Sequence, residues 1–159
     1  LPLQHGSDEM LQAMRRPYSV AYYADLVSDI RASMPHASIG SDIIVGFPGE
    51  SDQHFSDMRR CLEMLPLSYL HVFPYSDRPG TAASSIVPKV DGAHVRDRSR
   101  QIRTIASRMS QQFRSSQAGA IRRALVVDDG MSAVTDNYLK VRLHDRRVRN
   151  EWIDVVIDG

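Results

Sequence analysis

The sequence lacks several features that would assign it to a secreted, membrane or redox class. It contains a single cysteine, Cys61, which excludes a disulfide framework within the chain and fits a reducing compartment. No apolar run approaches the roughly 20 residues that a membrane-spanning helix needs, and no signal-peptide pattern is present. We therefore expect a cytoplasmic protein without a membrane contact, in which Cys61 is a buried structural thiol.

Familiar catalytic and metal-binding patterns are also missing. The six histidines include no pair at i, i+4 or short-loop spacing with a third ligand. No Ser-His-Asp or Cys-His set can be assembled, and the GxxxxGK[ST] phosphate loop is absent. The formal net charge of +1 gives no overall signal for a polyanionic partner. The sequence therefore assigns no catalytic residue and no metal ligand.

The most informative stretch that is present is DIIVGFPGE, residues 42–50. Its β-branched residues run into a turn rich in glycine and proline, which predicts a buried strand ending in a tight loop. Ser51 and Asp52 then offer an N-cap and a first-turn acid for a helix. Ligands commonly sit at the carboxyl ends of parallel strands. The loop is thus either a ligand floor or an ordinary strand-to-helix turn.

The order of elements predicts an α/β fold. We expect, in chain order, a strand at 1–4, helices starting near Ser7 and Ser19, a strand at 39–45, a helix ending at Pro66 and a strand at 69–73. This alternation predicts parallel strands with helical crossovers. Only about three strands are present, which is incomplete for a barrel-like fold. We therefore expect the chain, which starts with Leu1 rather than methionine, to be a piece of a longer protein.

The remaining sequence differs in charge and periodicity. Residues 89–123 contain nine basic and two acidic residues, so this segment carries 9 − 2 = +7. Its apolar residues recur at helical spacing, namely Val95, Ile102, Ile105, Met109 and Phe113. The basic residues form either a solvated helix face or a surface for a polyphosphate. From residue 118, short strands separated by turn residues predict a small antiparallel barrel.

Near the start of the chain, four polar side chains are candidates for ligand contacts. Gln4 and Ser7 stand at a strand end and a helix start, although for Ser7 alone a simple N-cap is the favoured explanation. Arg15 and Arg16 stand near a helix end, where they either favour the helix dipole or hold a ligand carboxylate.

Two further residues have competing explanations. A lone strand histidine such as His71 is more often a satisfied core residue than a catalyst. Tyr138, beside Lys140 and Arg142, either stacks on a nucleobase or is a plain strand residue.

Four motifs in order resemble the second half of the radical S-adenosylmethionine core of methylthiotransferases. They are LPLQHGSD (1–8), MRRPY (14–18), DIIVGFPGE (42–50) and HVFPYSDRPGTAA (71–83). The tail resembles the TRAM domain, a small RNA-binding β-barrel. HVFPYS and TDNYLKV (135–141) are most similar to the branch that methylthiolates N6-threonylcarbamoyladenosine in tRNA. His5 stands where the family more usually has serine, and we expect little consequence.

The resemblance implies the fold and the domains. The fold class is α/β: the C-terminal part of a partial radical-SAM (β/α) barrel at residues 1–90, a linking basic helix at 91–117 and a TRAM-like barrel at 118–159. We expect this barrel to stop short of its last strand.

The resemblance also implies an activity. In the family, a [4Fe-4S] cluster and an electron donor convert S-adenosylmethionine to a 5′-deoxyadenosyl radical, which abstracts hydrogen from adenine C2 before sulfur and methyl are installed. A second cluster takes part in sulfur transfer. The CxxxCxxC motif is absent here. We therefore expect the ligands of both clusters to lie outside this chain, which alone is inactive.

The resemblance further implies which residues contact the cofactor and tRNA. For S-adenosylmethionine the expected contacts are Gln4 and Ser7 at the ribose, Arg15 or Arg16 at the carboxylate, Ile44 and Gly46 at the adenine, Val72 and Phe73 closing the pocket, and Thr81 at its mouth. The expected RNA contacts are Arg103, Arg122, Arg123, Tyr138, Lys140 and Arg142. The alternatives are an RNA-binding module with an α/β scaffold and a ribosomal-protein methylthiotransferase.

Overall fold

The structure, a computed structural model, describes residues 1–158 and divides the chain into two compact units. Unit 1 comprises Leu1–Pro35 and Ile39–Met109, and unit 2 comprises His36–Ser38 and Ser110–Gly159. Gly159, the last residue of the predicted barrel, lies outside the described residues.

Unit 1 alternates helices and strands, as the sequence predicted. Its elements are α1 (Asp8–Ala13), α2 (Val20–Ser33), β1 (Gly40–Val45), α3 (Asp52–Met64), β2 (Tyr69–Pro74), a 3-10 turn (Ala82–Ser85) and the first part of α4 (Gly92–Ser116). The Ser19 hydroxyl accepts the Tyr22 N–H at 3.1 Å, and the Ser51 hydroxyl accepts the His54 N–H at 3.2 Å. The N-cap predicted at Ser51 is confirmed, and Ser19 caps the helix expected to start there, because these hydroxyls satisfy amides that the first helical turn leaves unpaired.

β1 and β2 pair in parallel, with Ile44 opposite Phe73. The first segment adds one parallel bridge, between Gln4 and Ile43, instead of a full strand. Gln4 donates its N–H to the Asp42 carbonyl and accepts the Ile44 N–H, both at 2.8 Å. The bridge stops there because Gln4 has a φ of +75°, which interrupts the extended backbone of a strand.

One face of this sheet lies in the core of unit 1. Ile43 and Val45 of β1 are fully buried, as are Val27 of α2 and Met58 and Leu62 of α3. Burying such a side chain is worth about 1.5–3 kcal/mol relative to leaving it exposed. The hydrophobic stabilisation of unit 1 is therefore concentrated on one side of the sheet.

Unit 2 contains an open antiparallel sheet. Its strands are β3 (Ile121–Val127), β4 (Ser132–Thr135), β5 (Lys140–Arg142) and β6 (Trp152–Val156), in the spatial order β5-β4-β3-β6. Within the described residues β5 and β6 remain edges, so the expected closed barrel is not formed. The sheet has four strands, one of them three residues long, and these are too few and too short for a sheet to close on itself.

The inner face of this sheet is packed. Ala124 and Val126 of β3 and Ala133 of β4 are fully buried, and Phe113, from the last turns of α4, is 8% exposed. Among the described residues no helix combines the length and the apolar character needed to cross a membrane.

Gly6 packs too closely on α3 to carry a side chain. A Cβ there would lie 2.7 Å from the Met58 Cα and 2.9 Å from the Cys61 Cβ. We expect Gly6→Ala to lower the free energy of unfolding of unit 1 by about 1–3 kcal/mol, because the backbone must move. Urea denaturation followed by circular dichroism measures this. Gly92→Ala is the matched control, since its Cβ meets only the Arg96 side chain end; equal stability of the two variants would contradict the packing argument.

Candidate functional site

The uncovered face of the β1–β2 sheet carries a ladder of rings. Tyr69, His71 and Phe73 of β2 point to this side, with Tyr69 37% and Phe73 51% exposed. The ring centroids of Tyr69 and His71 lie 5.3 Å apart, and those of His71 and Phe73 lie 6.4 Å apart. His71 is therefore exposed, and the expectation of a core histidine is wrong.

This exposed face is unusual for its sheet type. Parallel sheets are normally covered on both faces, and exposed apolar surface commonly marks a place where a partner or ligand binds. At the carboxyl end of β1, the face leads into the loop that starts at Gly46. The open face and this loop together form the candidate site.

The structure separates two residues that the resemblance placed in one pocket. Ile44 and Phe73 are paired across the sheet and share the open face. Val72 is paired with Ile43, which is fully buried. Consecutive residues of a strand point to opposite faces, so Val72 lies on the core side and only Phe73 accompanies Ile44. The two-residue periodicity of strands was the signal that the sequence offered for this distinction.

The polar candidates near the first bridge are only partly brought together. Arg16 donates from Nη2 to Gln4 Oε1 at 3.3 Å, and Gln4 is hydrogen-bonded to Ile44 through its backbone. Arg15 is exposed and has a φ of +56°. The Ser7 hydroxyl makes no capping hydrogen bond to α1, so the simple N-cap explanation fails. Thr81 is exposed and its hydroxyl donates to the Arg78 carbonyl.

A buried charged cluster, which the sequence reasoning missed, holds the loop. The side chains of His5 and Glu50 are both 0% exposed, and His5 Nε2 lies 3.2 Å from Glu50 Oε2. Arg98 Nη1 of α4 lies 2.6 Å from the other oxygen, Oε1. Glu50 Oε2 also accepts the Gly46 N–H at 2.9 Å. One carboxylate therefore ties the first segment, the loop and α4 together.

The electrostatics of this cluster keep Glu50 ionised. Burial alone would raise the Glu50 pKa, but hydrogen bonds from His5, Gly46 and Arg98 hold the pKa below its ordinary value. The Ser7 N–H donates to His5 Nδ1 at 3.1 Å, which assigns the proton of a neutral His5 ring to Nε2, facing Glu50. The expectation that histidine at position 5 has little consequence is therefore wrong.

Two of the residues expected to bind RNA do not lie on the unit 2 sheet surface. Arg103 is exposed on the part of α4 that belongs to unit 1. Arg122 has a side chain only 14% exposed, and its Nη2 donates to Gln117 Oε1 at 3.0 Å. Arg98, counted with the basic helix face in the sequence, is buried against Glu50. The basic segment is thus not a uniform solvated face.

The other residues expected to bind RNA are exposed in unit 2. Tyr138 is 83% exposed and has a φ of +64° in the turn before β5. The strand register places Arg123, Lys140 and Arg142 on one face of the sheet. Trp152 of β6 lies on this same face and was not among the predicted residues. In the sequence Trp152 closely follows the basic stretch RRVR (146–149), and an aromatic residue near cations could have identified it as a candidate.

The residues of this chain do not fit an iron–sulfur cluster. Cys61 is buried, as predicted, and burial followed by the charge of Asp8 raises its pKa to about 11. A cluster needs several thiolates, and among the described residues no three His, Cys, Asp or Glu side chains lie close enough to hold a metal ion.

Comparison with known proteins gives relatives that match this chain over part of their own length. No family model matches it. It is 36% identical over 157 residues to "Threonylcarbamoyladenosine tRNA methylthiotransferase MtaB" of Aquifex aeolicus, covering 99% of this chain and 38% of that protein. It is 36% identical over 150 residues to "tRNA-2-methylthio-N(6)-dimethylallyladenosine synthase" of Alkalilimnicola ehrlichii, covering 94% and 33%. The enzyme of the same name from Nitratidesulfovibrio vulgaris is 38% identical over 132 residues, covering 83% and 29%.

These relatives are tRNA methylthiotransferases, and the chain is homologous to one segment of them. It spans about a third of the length of the curated relatives it matches. Their names divide between enzymes acting on threonylcarbamoyladenosine and enzymes acting on dimethylallyladenosine.

Removing the charge of Glu50 tests the buried cluster. We expect Glu50→Gln to destabilise unit 1 by about 3 kcal/mol at neutral pH, because Arg98 loses its buried partner. Since the folded pKa of Glu50 is depressed, its contribution is full above the ordinary value of 4.5 and declines as the pH falls through the folded value. Urea denaturation at neutral and acidic pH measures this, and the gap between the two proteins should narrow in acid. Glu63→Gln, on the exposed side of α3, is the matched control; a gap independent of pH would contradict the argument.

Proposed function

We propose that the chain is the C-terminal part of a tRNA methylthiotransferase that installs a methylthio group at C2 of N6-threonylcarbamoyladenosine by radical S-adenosylmethionine chemistry. The observation that carries the proposal is the 36% identity, over 99% of this chain, to an enzyme named for that reaction. The HVFPYS and TDNYLKV stretches (71–76 and 135–141) support this branch over the dimethylallyladenosine branch.

In this proposal the open face of unit 1 is one wall of the S-adenosylmethionine site. Ile44 and Phe73 offer a paired apolar surface for the adenine ring. The Gln4–Arg16 pair lies next to Ile44 because the Gln4 carbonyl accepts the Ile44 N–H. The Arg16 guanidinium suits a ligand carboxylate. The Gln4 amide suits ribose hydroxyls, and so does the Ser7 hydroxyl, which makes no capping hydrogen bond.

Gly46 contributes to this wall by its backbone. Its φ is +79°, and Val95 of α4 occupies the space where a Cβ would be. Because the Glu50 carboxylate accepts the Gly46 N–H, the turn at the end of β1 has a fixed shape. We expect this turn to lie at the edge of the adenine pocket.

The redox centres belong elsewhere in this proposal. Reductive cleavage of S-adenosylmethionine requires a [4Fe-4S] cluster that receives an electron from a donor. The single cysteine of this chain is too few to hold such a cluster. We propose that the ligands of both clusters lie in other parts of the whole enzyme and that the chain alone is inactive. We propose that the enzyme is cytoplasmic, where its tRNA substrate is available.

A second candidate function is an RNA-binding module with unit 1 as a scaffold. The exposed cations of unit 2, Arg123 and Arg142 among them, favour it. Binding of S-adenosylmethionine separates the two candidates, since a scaffold has no reason to bind it.

Nucleoside analysis tests the proposed reaction. We expect deletion of the gene to remove the 2-methylthio derivative of N6-threonylcarbamoyladenosine from tRNA, as measured by mass spectrometry, and the intact gene to restore it. Loss of the dimethylallyladenosine derivative instead would move the enzyme to the other branch. Unchanged tRNA nucleosides would contradict the proposal.

Arginine substitution tests the cofactor wall in the whole enzyme. We expect Arg16→Ala to weaken S-adenosylmethionine binding about tenfold or more, because a hydrogen bond to a charged group contributes roughly 1.5–3 kcal/mol. Arg15→Ala should have a smaller effect, since Arg15 is not bonded to Gln4. Isothermal titration calorimetry measures the Kd, with the exposed Arg60→Ala as control. An unchanged Kd for Arg16→Ala would remove Arg16 from the site.

A further inference from the structure

The imidazole of His5 makes two hydrogen bonds in opposite directions inside unit 1. The residue is fully buried. Its Nδ1 accepts the Ser7 N–H at 3.1 Å, and its Nε2 lies 3.2 Å from Glu50 Oε2. Because Nδ1 accepts a hydrogen bond, the single proton of the neutral ring is on Nε2 and points at Glu50. Both ring nitrogens therefore have a partner, and together the two bonds fix the orientation of the ring.

Glu50 does not need His5 for charge compensation. Arg98 Nη1 lies 2.6 Å from Glu50 Oε1 and 3.1 Å from the Glu50 carbonyl oxygen, so the guanidinium already supplies the positive charge. A neutral imidazole adds no charge, and its contribution is a directed hydrogen bond. The same oxygen that it meets, Oε2, also accepts the Gly46 N–H at 2.9 Å. Hydrogen bonds therefore run without a break from the Ser7 amide, through the His5 ring and one carboxylate oxygen, to the Gly46 amide.

This chain of hydrogen bonds joins the two ends of the proposed cofactor wall. One end is the segment of Gln4 and Ser7, where Arg16 Nη2 donates to Gln4 Oε1 at 3.3 Å. The other end is the Gly46 turn, which directly follows β1. The Gln4 backbone has a φ of +75°, a conformation that side-chain-bearing residues keep only where their surroundings hold it. On one side β1 holds Gln4 by two backbone hydrogen bonds, and on the other side His5 follows it directly.

The segment around His5 has little room to shift. Gly6 follows His5, and a Cβ at Gly6 would lie 2.7 Å from the Met58 Cα. The backbone of the segment is therefore in direct contact with α3. Interiors packed this closely transmit small displacements to their neighbours. A change in the bonds of the His5 ring should consequently reach Gln4.

We propose that His5 is a positioning residue of the cofactor wall, which holds Gln4, and through it Arg16, in place relative to the Gly46 turn. The inference rests on the proposed function, which supplies S-adenosylmethionine as the ligand. His5 itself contacts no ligand in this role, because it is fully buried. A ring that served only to fill space would need no polar partners, whereas both nitrogens of His5 have one.

Two substitutions separate the two hydrogen bonds of His5. The amide oxygen of His5→Asn replaces Nδ1 and keeps an acceptor for Ser7, whereas the amide nitrogen of His5→Gln replaces Nε2 and keeps a donor for Glu50. We expect His5→Asn to speed hydrogen exchange of the Gly46 amide about threefold or more, because Glu50 loses one of the bonds that fix it, and His5→Gln to do so at the Ser7 amide. NMR of the full chain measures this crossed pattern. Val27→Ala, which leaves a cavity in α2, is the control and should not produce it.

Binding of S-adenosylmethionine to the whole enzyme tests the positioning role. We expect His5→Leu, which removes both hydrogen bonds, to raise the Kd about threefold to tenfold, as measured by isothermal titration calorimetry, and His5→Gln to recover part of the loss. In the Arg16→Ala background, His5→Leu should change the Kd by less than about twofold, because His5 acts through Arg16. A merely structural role would give the same loss in both backgrounds. Val27→Ala lowers stability outside the buried cluster and should leave the Kd unchanged.

The proposal is overturned if His5→Leu binds S-adenosylmethionine like the unaltered enzyme, or if its loss is the same with and without Arg16. It is also overturned if His5→Asn and His5→Gln speed exchange of both amides equally. If His5→Leu does not fold, the affinities of His5→Asn and His5→Gln decide, and unaltered binding by both overturns the proposal. Hydrogen exchange needs no cofactor. The crossed pattern in an enzyme that does not bind S-adenosylmethionine would therefore contradict the proposed function, whereas normal binding by the His5 variants would contradict the role of His5.

Discussion

The buried carboxylate of Glu50 is the constraint on which the candidate site of unit 1 depends. It joins His5 of the first segment, the Gly46 amide at the end of β1, and Arg98 of α4. Burying an isolated charge costs several kcal/mol, and this cost is offset only when good geometry and further hydrogen bonds compensate the charge. All three contacts must therefore form together. Folding therefore sets three features cooperatively: the shape of the loop, the position of the first segment and the packing of α4.

This cooperativity explains which features the sequence could predict. The strand at residues 40–45, its glycine turn and the Ser51 cap depend on neighbours a few residues away, and they were predicted correctly. The Arg98–Glu50 pair joins residues 48 positions apart, and an arginine on a basic helix carries no local sign of such a partner. His5 was underestimated for the same reason, because its importance comes from Glu50 and not from its own segment.

The unit 2 sheet shows a second limit of sequence reasoning, whereas the placement of Val72 does not. The alternation of strand side chains is a local property, and it separates Val72 from Phe73 without any structure. Barrel closure is not local, because it requires two edge strands to meet after the chain has passed through every strand between them. Composition and turn residues predicted the strands themselves, but they carry no information on whether β5 and β6 pair.

The two exposed sheet faces differ in the chemistry of the ligand that each suits. On the open face of unit 1, Asp42 is the single charged residue of the paired strands and lies opposite His71, so a polyanion would meet no strand cation there. An aromatic ring joined to a positively charged group suits this combination of rings and a carboxylate. On the outward face of unit 2, the arginines around Trp152 reverse the sign and favour phosphates. Both faces leave aromatic rings in solvent, and large apolar side chains gain most from a partner that covers them. Charge therefore separates the two faces, since one suits a cationic aromatic ligand and the other suits an anionic one.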